Sequence, residues 1–134
     1  METVTEFDVA AAAYHEQARE VQRLSMAILE HDQHIDDLRA LIAYRRIEVD
    51  GSDAVQVSPV GDDGKRAPSN DQVRAARAQA VMAADDDYTG WRNELRASEY
   101  RRGDLAVHLE YARSLRSLAK RRMDAQTWGV GHDE

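Results

Sequence analysis

Large apolar side chains recur every seven residues through the first third of the chain, at Phe7, Tyr14, Val21, Ile28, Ile35, Ile42 and Val49. The last five are β-branched. Ala10, Gln17, Leu24, His31, Leu38 and Arg45 fall between them and complete a three–four spacing. A repeat held this long lays a narrow stripe along one side of a helix, and such a stripe is buried by packing on a partner helix. The pattern predicts a helix over residues 3–50. It would open at a Thr3–Glu6 capping box and stop at Gly51, inside the turn-forming run Asp50-Gly51-Ser52-Asp53.

Residues 51–68 read as a flexible loop, punctuated by Gly, Pro and Asp. Within it Val55, Val57 and Val60 suggest either a short strand or hairpin, or no fixed structure at all. A second helix is expected over 69–127, opened by Ser69–Gln72 directly after Pro68, with Gly129 and Gly131 closing the chain. Its stripe is Tyr88, Trp91, Leu95, Ser98, Arg102, Leu105, Leu109, Ala112, Leu115 and Ala119. The run Asp85-Asp-Asp-Tyr-Thr-Gly90 weakens helix locally. We read the helix as continuous through it; the alternative is a break near 85–90, with Trp91 starting a third helix.

These elements define an all-α fold, a long antiparallel helical hairpin of coiled-coil type in a single domain, 1–134. Folding the second helix back from a loop at 51–68 sets Ile28 opposite Trp91, Tyr14 opposite Leu105 and Ile42 opposite Arg77. Small alanines then face large side chains, as interdigitated packing requires. In this register Leu115, Leu118, Met123 and Trp128 project past the start of helix 1. That overhang predicts a homo-oligomer, with Leu115, Leu118 and Met123 as its seam.

Composition narrows the class. The 134 residues carry no cysteine, so disulfides and thiol chemistry are excluded. No segment has the roughly 18 uncharged apolar residues of a membrane span, and the N-terminus lacks the basic and apolar regions of a secretory signal. The expectation is a cytoplasmic protein with no membrane partner. Net charge is −7, unevenly spread: residues 1–87 hold 18 acidic and 9 basic side chains, residues 88–134 hold 7 and 9. Only Lys65 and Lys120 among the 18 basic residues are lysine. Arginine suits bidentate contacts with phosphate or carboxylate, though GC-rich coding yields the same bias.

Candidate chemistry is sparse. His31 and His34 share a helix face at a spacing compatible with zinc, but no second ligand pair accompanies them. Asp85, Asp86 and Asp87 offer a divalent-cation site or a negative patch for a basic partner, or are simply a solvated run. No nucleophile triad and no phosphate loop is recognisable, so the chain is expected to be no enzyme and to need no cofactor or metal. Arg113, Arg116, Lys120, Arg121 and Arg122, with Trp128 nearby, compose a basic strip. Such a strip neutralises nucleic-acid phosphates while an aromatic stacks on an unpaired base. The plainer reading is a helix C-terminus matched to its own dipole. Tyr100-Arg-Arg-Gly-Asp104 fits the Tyr-x-x-x-Asp pattern of type VII secretion substrates, but the loop lacks their Trp-x-Gly turn.

Residues 84–131 resemble phage recombination-mediator proteins of the UvsY type. The resemblance lies in Ala84-Asp-Asp-Asp87 opening a long helix, Trp91 within it, and Lys120-Arg-Arg-Met-Asp-Ala-Gln-Thr-Trp128 before a terminal glycine. Those proteins are small, helical and oligomeric, and load a recombinase on single-stranded DNA. The resemblance implies that Arg116, Lys120, Arg121 and Arg122 face DNA. The function expected is therefore a non-catalytic oligomeric adaptor with a protein partner and single-stranded nucleic acid. The alternatives are a phage scaffold or assembly chaperone, and an acidic inhibitor using Asp36, Asp37 and Asp85 to Asp87.

Overall fold

Helices make up nearly all of the described chain: α1 (Glu6–Asp50), α2 (Asp53–Gln56), α3 (Asp71–Ala83) and α4 (Asp86–His132). The computed structural model describes residues 3–58, 60–65 and 70–132, with side chains to residue 128. The fold is the all-α long helical hairpin that the stripe implied. No helix among the described residues is long and apolar enough to cross a membrane.

The N-terminus of α1 is capped two residues later than expected. Thr5 Oγ1 accepts the Asp8 N–H at 3.1 Å, and Asp8 Oδ2 accepts the Thr5 N–H at 3.2 Å. The reciprocal pair satisfies two orphan donors and sets a carboxylate against the positive end of the helix dipole. The start of α3 is capped by Asn70, whose side chain accepts the Val73 N–H at 2.9 Å. Ser69, proposed for that role, lies outside the described residues. Replacing Asn70 by Ala is expected to cost about 1 kcal/mol, read as a shift in urea midpoint with unchanged slope.

The chain folds as two compact units, one formed by residues up to Asp32 and from Tyr100 onward, the other by Gln33–Glu99. In the first unit Leu24, Ile28, Leu109 and Ala112 are buried together, flanked by Val21, Leu105 and Ala106. Ala10 and Ala119 are also buried, and Gln126 donates to Glu6 Oε2 at 2.7 Å. Arg102, on the stripe of α4, donates to Asp32 Oδ1 at 2.9 Å, which raises its pKa further. A charge on a packing face is tolerable when its partner comes from the facing helix.

In the second unit Ile35, Leu38, Ile42 and Val49 of α1 are buried, as are Tyr88 and Ser98 of α4. Val49 packs with Val55 of α2 and Ala78 of α3, beside Val81 and Met82. Arg77 ties this corner by donating to Val55 O at 2.7 Å and Ser58 Oγ at 3.2 Å. Val55 therefore belongs to a one-turn helix, not a strand. Beyond it Gly61 N–H donates to Lys65 O at 2.8 Å across a tight turn in which Gly64 takes φ +78°. That left-handed conformation favours glycine.

The expected register is wrong, and the second helix is not continuous. Ile28 meets Leu105 and Leu109, not Trp91. The offset is about thirteen residues, close to two heptads. Its cause is α3, which spends its apolar face on Val49 and Val55 before the chain breaks at Ala84–Asp85. The return arm thus begins at Asp86 instead of residue 69. Gly90 is helical after all, and so are Gly129 and Gly131, at a propensity cost of about 1 kcal/mol each relative to alanine.

Candidate functional site

The register change removes the overhang. The end of α4 lies against the start of α1, where Val4, Thr5, Val9 and Ala10 share a cleft with Ala119, Arg122 and Gln126. Leu115 and Met123, offered as an oligomer seam, are half-buried; Leu118 is the exposed member of that set. Arg116 follows buried Ala112 by four residues and precedes buried Ala119 by three, so it occupies a stripe position and is half-buried. Arg113, Lys120, Arg121 and Arg122 are exposed, and Arg113 pairs with Glu110 at 2.8 Å. Trp128 is exposed. Arg113 and Lys120 are one heptad apart on one flank of α4, whereas Arg122 lines the cleft against α1, so the exposed basic residues do not share one face.

The junction between α3 and α4 carries the densest polar chemistry. Asp85 Oδ1 accepts the Tyr88 N–H at 3.1 Å and so caps α4, while Oδ2 pairs with Arg45. Donation from the Tyr88 backbone, aided by Arg45, holds the Asp85 carboxyl below its ordinary value of 3.8. The Arg45 guanidinium also lies 4.9 Å from the Trp91 ring centroid, within cation–π range. Asp85 is therefore committed to structure, which removes it from the acidic surface proposed for an inhibitor.

On the outer side of the same junction, Arg46, Arg92 and Arg96 line a groove with Gln79, Asn93 and Tyr88. No carboxylate lines it. Arg46 donates to the Tyr88 hydroxyl at 2.9 Å, and the Arg92 guanidinium lies 5.8 Å from the Tyr88 ring centroid. One buried tyrosine thus orients two arginines, and Arg96 stands one turn along α4. Three guanidiniums and two amides around one concavity can hold an oxyanion bidentately and offer hydrogen bonds to its neighbours. Sequence reading missed this groove because Arg46 is far from Arg92 along the chain and α3 supplies the opposite wall. The single cue was Arg92 and Arg96 at i, i+4.

His34 Nε2 lies 2.8 Å from Glu94 Oε1, an inter-helix pair, and His31 is half-buried on the stripe. No group of three potential metal ligands exists among the described residues. No family model, curated protein or solved structure matches the chain.

Proposed function

We propose that this protein is a non-catalytic helical adaptor that binds a polyanion, with single-stranded nucleic acid as the ligand, in the groove between α3 and α4. The observation that carries the reading is that groove: three arginines and no carboxylate, in a chain of net charge −7. Guanidiniums displace counterions from phosphates, and the Gln79 and Asn93 amides suit unpaired base edges. Exposed Arg113 and Lys120, one heptad apart on α4, offer a second pair of phosphate contacts. An adaptor of this kind agrees with the resemblance to phage recombination mediators. It carries over the class of ligand and, of the residues implied there, Lys120; Arg116 is half-buried and Arg122 lines the cleft against α1.

A fluorescent oligothymidylate titrated at about 50 mM salt tests the reading. Binding should weaken steeply as salt rises. Arg92→Ala with Arg96→Ala should weaken it and flatten the salt slope by about 1.4, two phosphates' worth on a single strand. Arg46 is left in place because it supports Tyr88. No binding by the wild-type chain at that salt, or equal binding by the double variant, would remove the groove as the site.

Protein binding through the outer face of α1 is a second reading favoured by its own observation. Leu41, Tyr44 and Ile47 are exposed at i, i+3 and i+6, close enough around the helix to share one side that a partner's groove could cover. If it holds, a protein recovered with the wild-type chain should be lost with Tyr44→Ser and Ile47→Ser. Recovery unchanged by these substitutions would sink it.

A further inference from the structure

Helix α4 carries a second stripe on the side away from α1. Tyr100, Asp104, Val107, Tyr111, Ser114, Leu118, Arg121 and Ala125 repeat at three and four residues. Tyr100, Val107, Tyr111 and Leu118 are 80, 69, 65 and 42 % exposed. The inner stripe of α4 is already buried within the chain, so this outer repeat has no role in closing the hairpin.

We propose that α4 pairs through this outer stripe with α4 of a second copy, antiparallel, with Val107 layered on Leu118. That register is singled out by charge and size. It sets Asp104 against Arg121 of the second copy, joining the two charged members of the stripe with opposite sign. It sets Tyr100 against Ala125 and Tyr111 against Ser114, a large side chain on a small one in both layers. By two-fold symmetry each match occurs twice. A slip of one heptad faces Asp104 with Ser114 and Arg121 with Ala97, or Arg121 with Tyr111. A parallel pair sets Asp104 on Asp104 and Arg121 on Arg121. Each of these strands or opposes charge in an apolar stripe, which selects register and orientation in helix pairs.

The area suffices. An aromatic side chain offers roughly 150–250 Å², so the stripe contributes on the order of 500 Å² per copy and about 1,000 Å² for the pair, the lower bound of a specific interface. Within the chain Asp104 lies 3.8 Å from His108, which is charged only when protonated. Arg101 approaches Arg122 of the second copy at the margin, where solvent and salt screen the repulsion. The pairing specifies how the proposed adaptor self-associates and uses none of the residues that line the α3–α4 groove, so the two proposals are tested by different substitutions.

Sedimentation equilibrium over about 5–200 μM, with helicity monitored by circular dichroism, is the test. The wild-type chain should be a dimer. Asp104→Arg and Arg121→Asp should each weaken dimerisation on the order of tenfold or more, because each change meets its mate twice. The double variant, Asp104→Arg with Arg121→Asp, should restore it. A monomer throughout, or a dimer indifferent to either single change, overturns the proposal. So does a double variant no better than the singles. As the chain has no cysteine, Val107→Cys mixed with Leu118→Cys should form a disulfide-linked pair faster than either variant alone; equal rates would contradict the register. Oligothymidylate binding by reduced Val107→Cys, which changes no charge, reports on the groove independently.

Discussion

Leu24→Ala should lower the unfolding free energy by about 3 kcal/mol, in the lower half of the range for deleting a buried leucine. Leu24 is 2 % exposed and sits with Ile28, Leu109 and Ala112 at the centre of the first unit. Among the residues packed with it across the seam, Ala112, itself 2 % exposed, has only a methyl group to offer the gap. The cavity left behind therefore stays largely open, and cavity volume adds to the lost transfer energy. Urea unfolding followed by circular dichroism gives the loss directly. Protein concentration must be held fixed, since self-association adds to apparent stability. Leu29→Ala, five positions along the same helix and 65 % exposed, is the matched control and should stay within about 0.5 kcal/mol of wild type. A loss below about 1 kcal/mol for Leu24→Ala would mean that the first unit is not packed as described.

Asp85→Ala should have the next largest effect, exceeding that of Asn70→Ala. Both remove an N-cap, but Asp85 also neutralises Arg45, whose side chain is 28 % exposed and held over Trp91. Alanine leaves that guanidinium without its carboxylate and the Tyr88 N–H without an acceptor. Asp85→Asn keeps a cap acceptor and loses the ion pair, so it should fall between wild type and alanine. The first turn of α4 should fray in the alanine variant, seen as faster amide exchange at Tyr88 and Thr89. Acid provides the second readout. The folded pKa of Asp85 is depressed below 3.8, so its stabilisation is full above that value and is lost as pH falls through the lower, folded one. The stability gap between wild type and Asp85→Asn should be constant above about pH 5 and shrink below about pH 3.8. A gap that persists at low pH would show that the carboxylate charge is not what holds Arg45.

The seven-residue repeat of α1 was legible because one face of a long helix has one job. Ile28, Ile35, Ile42 and Val49 are buried, and so are Leu24 and Leu38 between them. The polar interruptions of that stripe were not legible in the same way. Arg45 finds Asp85 and Trp91, residues that no local pattern links to it. The α3–α4 groove was hidden for the same reason, since its walls come from three helices. The outer repeat of α4 was present in the sequence throughout, in the same three–four spacing as the inner one. Only burial tells the two apart, because a stripe carries no mark of which partner covers it.

The sequence alone determined the two long helices, their apolar faces and their antiparallel return, though not the one-turn α2 or the break before α4, since periodicity and chain length allow a long amphipathic helix few other ways to cover its stripe. The tertiary structure alone decided the register. Heptad stripes match equally well at every slip of seven residues, so local pattern leaves the offset open. The offset was settled at the corner, where Val49, Val55 and Ala78 pack together and Asp85 both ends the turn and starts α4. That choice brought the end of α4 back against Glu6 and removed the expected overhang.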